Sequence, residues 1–225
     1  MMRRFAALFL ATAVTAAALP ASAQTETRKS SVKDAERTMQ EFAECAVHRA
    51  GRRGTLDRYL RMNPHAPDYR ALGVKLATDA CVPPAYGASV EMRFQPVLFR
   101  LSLYEARYRW EFRNRPAPAS IPDPAPLDLA AEFDVPGDQL PPEVIFLRAV
   151  GNCVVRLDAA NSHALVMSRL HSDAERAIVT ALQPSLGSCV PEGATFRFSR
   201  TMLRGALAEA LYKFQSQPAA AEVVK

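Results

Sequence analysis

Apolar residues recur along most of this chain at helical spacing. Between Ser31 and Ala50, the residues Ala35, Met39, Phe42, Ala46 and Ala50 fall three or four apart on one face. Ser31 or Asp34 is placed to cap that segment, and Gly51 and Gly54 to end it. Thr55 suits the cap of a short second helix carrying Leu56, Tyr59 and Leu60, and Pro67 the first turn of a third bearing Leu72 and Leu76. Pro96 opens a fourth. The same order then returns: Val144 to Leu157, Ala164 to Leu170, a helix begun by the capping box Ser172-Asp173-Ala174-Glu175, and Ser199 to Phe214. No convincing two-residue alternation predicts a strand, so the pattern predicts an all-α fold.

The recurrence extends to the cysteines. Cys45 and Cys81 stand 36 apart, as do Cys153 and Cys189. The block from Arg93 to Tyr108 also lies in register with Arg197 to Tyr212, sharing Arg-Phe, Arg, Leu, Glu-Ala and Tyr. Two tandem duplicated modules of about four helices each follow, each with one disulfide, Cys45 to Cys81 and Cys153 to Cys189. The first covers residues 24–112 and the second 143–216, with a flexible tail at 217–225. The intervening 113–142 is too rich in proline, from Pro116 to Pro142, for a continuous helix and reads as a linker. Within it, Leu127, Leu129, Ala130, Ala131 and Phe133 can form a helical turn that packs back on a module.

The fourth helix of each module carries a matching apolar stripe, Phe99, Leu103, Ala106 and Trp110 against Leu203, Leu207, Ala210 and Phe214. This stripe is the expected core face. Glu105 with Arg109, and Glu209 with Lys213, stand four apart with the acid nearer the helix start, the arrangement of a solvated surface pair.

At the amino end, Arg3 and Arg4 precede an uncharged run from Phe5 to Leu19, and Ala21-Ser22-Ala23 supplies a small-x-small cleavage pattern. Residues 1–23 read as a secretory signal peptide. The run is short of the roughly 20 apolar residues of a span, and the polar flanks of a twin-arginine signal are missing. Of the 28 basic and 23 acidic residues, the segment holds two arginines and no acid, so the remaining excess of three charges specifies no nucleic-acid partner. Export accounts for paired cysteines, which persist in oxidising compartments such as the periplasm or the exterior.

Zinc-protease, phosphate-loop, nucleophile-elbow, haem and dinucleotide motifs are all missing, and no cofactor is expected. Cys45 and His48 share a helical face, but Cys45 is better explained as half a disulfide than as a metal ligand. His163 and His171 read as surface histidines, and Tyr108 and Tyr212 as packing residues with hydroxyls turned to a neighbour. The distinctive stretch runs from Arg100 to Arg115. There Arg100, Arg107, Arg109, Arg113 and Arg115 alternate with aromatic rings in a pattern suited to gripping an anion with forked hydrogen bonds. The reading is an exported, soluble periplasmic binding or interaction module for an anionic envelope component or a protein partner. Its alternatives are an envelope enzyme with a site at the cleft between modules, and a carrier of a small apolar ligand.

The Cys-x(35)-Cys spacing and the segment Leu203-Arg204-Gly205-Ala206-Leu207-Ala208-Glu209-Ala210-Leu211-Tyr212 resemble a group of small exported all-helical proteins of Gram-negative bacteria. The resemblance spans both modules but not the linker, implies location and architecture, and carries no assigned activity. The first module departs from it, with Arg100-Leu101-Ser102-Leu103-Tyr104 where the second has Arg204-Gly205-Ala206-Leu207-Ala208. Cleavage is expected after Ala23; intact-mass measurement on the exported protein should find Gln24 first, and a chain retaining residues 1–23 would refute the signal assignment.

Overall fold

The computed structural model describes residues 31–50, 54–82, 95–119, 121, 129–133, 139–193 and 198–216. The expected signal segment, its cleavage point and the tail lie outside them. Every regular element among the described residues is helical. In order they are α1 (Val32–Ala50), α2 (Thr55–Arg61), α3 (Tyr69–Leu76), a short 3₁₀ turn at Asp79–Cys81, α4 (Pro96–Phe112), α5 (Leu129–Glu132), α6 (Pro142–Leu157), α7 (Ala159–Met167), α8 (Asp173–Cys189) and α9 (Arg200–Ser216).

Local chemistry explains the ends that differ from expectation. Asp158 accepts a hydrogen bond from the Asn161 backbone N–H at 3.0 Å, so α7 starts five residues before the expected Ala164. Ser168, in extended conformation, stops it. Gly54, with φ of 65°, takes the position before α2, leaving Thr55 as the first helical residue rather than the cap. Ser172 caps α8 as expected, accepting from the Glu175 N–H at 3.1 Å, but Glu175 reaches back to the His171 N–H instead of that of Ser172.

Two halves share one plan. Helices α1 to α4 answer to α6 to α9, and each disulfide ties the first helix of its half to the end of the third. Cys45–Cys81 has Cα atoms 5.5 Å apart and Cys153–Cys189 has them 5.7 Å apart, each bond closing a separation of 36. Phe42, Ala43, Ala46 and Val47 form the buried face of α1, and Val150, Gly151, Val154 and Val155, each 108 positions later, form that of α6.

Helices α4 and α9 lie at the centre and pack on each other. Residues Phe99 to Ala106 of α4 and Leu203 to Ala210 of α9 are buried without interruption, through more than two full turns. Such helices need close neighbours on every side. Gly205 supplies the approach: a Cβ there would lie 2.4 Å from the Cβ and 2.8 Å from the carbonyl oxygen of Leu101. Gly151 does the same for α6, where a Cβ would meet the Ala206 carbonyl oxygen at 2.5 Å. Leu101 and Gly205 occupy corresponding positions, so the halves meet about a local two-fold relation passing between them. Tyr212 packs against the apolar clusters of both halves, joining them.

Leu127 of the turn expected in the linker lies outside the described residues, but Leu129 and Phe133 do pack back. The α5 turn buries Phe133 with Leu140 and Val144. Trp110, in contrast, leaves the core stripe and is 49% exposed. Near the end of α1 its ring meets that of His48 edge to face, with centroids 5.1 Å apart.

The approach at Gly205 is testable against a glycine with open space around it. Gly205→Ala is expected to destabilise by about 1–3 kcal/mol through overpacking. Gly187→Ala, where nothing lies within 4 Å, should gain roughly 0.5–1 kcal/mol from helix propensity. Denaturant unfolding of both variants checks the contrast, and equal effects would contradict the close contact.

Candidate functional site

The all-round burial of α4 and α9 takes charged residues into the core, and these cross-pair between the halves. The guanidinium of Arg100 on α4 donates from Nη1 and Nη2 to the two carboxylate oxygens of Glu209 on α9, at 2.8 and 2.7 Å. Arg204 on α9 donates from Nε and Nη2 to Oε1 of Glu105 on α4, at 2.9 and 2.7 Å. All four side chains are buried. Because Arg100 corresponds to Arg204 and Glu105 to Glu209, each half provides a carboxylate to the other's arginine.

Each arginine also satisfies the end of a helix in its own half. Arg100 Nε donates to the Leu60 carbonyl in the last turn of α2 at 3.2 Å. Arg204 donates to the carbonyls of Leu165 and Val166, in the last turn of α7, at 2.7 and 3.0 Å, and to that of Ser168 at 3.0 Å. Last-turn carbonyls have no partner within their helix and carry the negative end of its dipole, so a cation there is favoured.

A second shell of charge surrounds each pair. Glu209 also receives Lys213 Nζ at 2.9 Å and lies 3.7 Å from Arg148 Nε on α6. Arg148 in turn grips Glu132 of α5 with Nε and Nη2, at 2.8 and 2.6 Å, and Lys213 contacts that carboxylate too. At the other pair, Glu175 of α8 meets Arg204 at 3.2 Å and Arg200 at 2.7 Å. Burial alone would raise the Glu209 carboxyl, but Arg100, followed by Lys213 and Arg148, outweighs it and holds the group well below the usual range. For Glu132 as well, burial opposes ionisation and Arg148 and Lys213 overcome it. Burial lowers Lys213 below an ordinary lysine. Glu209 therefore carries no proton at neutral pH and accepts hydrogen bonds from fixed donors.

The expected surface pairs need correction. Glu105 is buried and bonds Arg204, while Arg109 turns to Glu44 at 3.3 Å and to the carbonyls of Val166 and Ser168 at 2.9 and 3.1 Å. Glu209 and Lys213 do touch, but inside the molecule. The signal was present in both halves: Arg and Glu recur five positions apart on helices whose other residues read as core. Arg148 was marked by standing within the apolar sequence Val144 to Val150.

The five arginines of the distinctive stretch separate by environment. Arg100 is buried and fully engaged, which removes it from any external ligand. Arg107 contacts Asp57 and Glu111 and lies over the Tyr212 ring at 4.5 Å. Arg109 is committed as above. Arg113 lies over the exposed Trp110 ring at 4.7 Å and Arg115 over Phe112 at 4.8 Å, and neither meets a carboxylate among the described residues. His171 is not the surface histidine expected, for its ring is largely covered and its Nε2 lies 3.3 Å from Glu36. Tyr108 is buried and shares a 2.8 Å hydrogen bond with His163 Nδ1, and burial raises its phenol and lowers that imidazole. Among the described residues, no three histidine, cysteine or acidic side chains are grouped to hold a metal ion.

No protein-family model, curated protein or solved structure matches this chain.

Since the folded Glu209 carboxyl lies below its ordinary value of 4.5, its stabilisation is complete above that pH and disappears as pH falls through the depressed folded value. Glu209→Gln leaves Arg100 without its carboxylate and should cost about 3–5 kcal/mol at pH 7. Chemical denaturation from pH 7 to 2 should show the gap between wild type and variant narrowing below pH 4.5. A constant gap would show that the charge is not responsible.

Proposed function

We propose that this protein is exported to the periplasm and acts there, without catalysis, as a binding protein for an anionic envelope component. The two disulfides support an oxidising compartment, as does the signal-like character of residues 1–23. The shared helix order, equal cysteine separations and crossed ion pairs support an origin by tandem duplication. Among the described residues, no helix is long and apolar enough to cross a membrane.

One observation carries the binding reading. Trp110, the single tryptophan of the chain, stands half exposed at the end of α4 with a guanidinium over its face and an imidazole at its edge. An exposed indole beside unneutralised arginines presents a stacking surface and a positive field together. Where the first half has Trp110, Arg113 and Arg115, corresponding positions of the second hold Phe214, Gln217 and Ala219. The halves thus retain the charges of their crossing and differ at this helix end. Glu105 and Glu209, the acids present in both, are spent on internal ion pairs, which favours binding over acid-base chemistry.

Trp110 also reports on its own surface. Its fluorescence should respond saturably to anionic phospholipid vesicles or to an acidic oligosaccharide, but not to neutral vesicles, and half-saturation should move to higher concentration with salt. Arg113→Ser/Arg115→Ser should abolish the response without altering the thermal midpoint. Trp110→Ala should shift stability by less than about 1 kcal/mol, as befits an exposed side chain. If neither anionic probe gives a salt-sensitive response, the proposal fails.

A further inference from the structure

The charges buried around Glu209 do not balance within the long helices. Arg100, Arg148 and Lys213 bring three cations, and α9 supplies one carboxylate. The second comes from the linker, as Glu132 on the four-residue α5. The other cluster is arranged differently, because Glu105 and Glu175, the carboxylates that hold Arg204, both stand on long helices. A single helical turn has little stability of its own, so α5 holds its place through the contacts of Glu132 and its neighbours.

Glu132 meets Arg148 as a free carboxylate would, taking one hydrogen bond on each oxygen from Nε and Nη2. It does not use all that the arginine offers. The Arg148 side chain is 3% exposed, yet its buried Nη1 has no hydrogen-bond partner among the described residues. A buried donor left unmade is unfavourable, and a ligand bearing an additional acceptor beside its carboxylate would relieve it. The rim remains open to exchange. Glu132 and Lys213 keep 18% and 19% of their side-chain surface in water, so replacing Glu132 does not require α4 and α9 to part.

We propose that Arg148 and Lys213 form a binding site for a small hydroxy- or dicarboxylic acid, which the linker fills with Glu132 as an internal stand-in. An external acid competes with Glu132, taking the same two hydrogen bonds and adding an acceptor for Arg148 Nη1. Lifting α5 then couples occupancy of the site to the position of the linker. This site is separate from the Trp110 surface and does not depend on it.

Thermal unfolding of the full chain in malate, acetate and chloride at matched ionic strength tests the proposal. Glu132→Ala should unfold at a lower temperature than wild type. Malate should restore it by several degrees, saturably, with acetate weaker and chloride without effect. Wild type should need at least tenfold more malate for half its shift, because its own carboxylate competes. The malate response should vanish in Glu132→Ala/Arg148→Met. If Glu132→Ala does not fold, Glu132→Gln, neutral and of similar volume, takes its place. Lys213→Met at the rim replaces the arginine substitution if that variant fails. A malate response no greater than that to chloride, or one that survives removal of the cation, overturns the site.

Discussion

The reciprocal exchange of charge between α4 and α9 constrains the rest of this molecule. A guanidinium in a core is costly unless a well-placed carboxylate and partners for its remaining donors accompany it. Here each half lends a carboxylate to the other's arginine, and Arg204 draws on Glu175 of its own half as well. Arg100 and Arg204 cap the ends of α2 and α7 in their own halves and take their forked carboxylate contacts, Glu209 and Glu105, from the opposite half. The forks reach only because the helices approach closely, and they approach because Gly205 has no side chain where Leu101 passes. Enlarging that residue would therefore strain the packing and the ion pairs together.

Two kinds of position can be distinguished when the halves are compared. At the crossing, arginine and glutamate recur because each is bound by its counterpart's geometry. Toward the end of α4 that constraint lapses: Trp110 is matched by Phe214, but Arg113 and Arg115 have no basic counterpart at the matching positions of the second half. The linker adds an asymmetry of its own. Its Glu132 completes one charge cluster, whereas the other is completed from α8.

Much of the architecture was legible in the sequence. Helical periodicity located α1, α4, α6, α8 and α9, and equal cysteine spacing indicated which thiols pair. The errors have physical causes. Spacing of four identifies neighbours on one helix, and so assigned Glu105 to Arg109, but Arg204 is 99 positions away and no local rule reaches it. Arg100 and Glu105 are five residues apart, about 140° around the helix, and so cannot pair with each other. A stripe also says nothing about whether the opposite face is covered, and the middle of α4 and of α9 is enclosed on every side. Trp110 fitted the stripe in spacing, but the layer that buries the stripe ends before reaching it. The α7 boundary depended on the Asp158 cap, a single side-chain interaction that apolar periodicity does not record.

The disulfide loops enclose the last turn of α1 with α2 and α3, and the last turn of α6 with α7 and α8, and both leave the central helices outside. For a chain that meets its oxidant from the amino end onward, Cys45 and Cys81 are both present before Cys153 arrives. Oxidation in order of appearance then yields the native pairing without guidance from the finished fold. Helix α4 finds apolar partners early in α1 and α2, but the carboxylate that pairs Arg100 and the guanidinium that pairs Glu105 arrive with α9, about a hundred residues later. Covalent closure thus joins residues 36 apart, twice, whereas the ion pairs of the central helices join residues about a hundred apart.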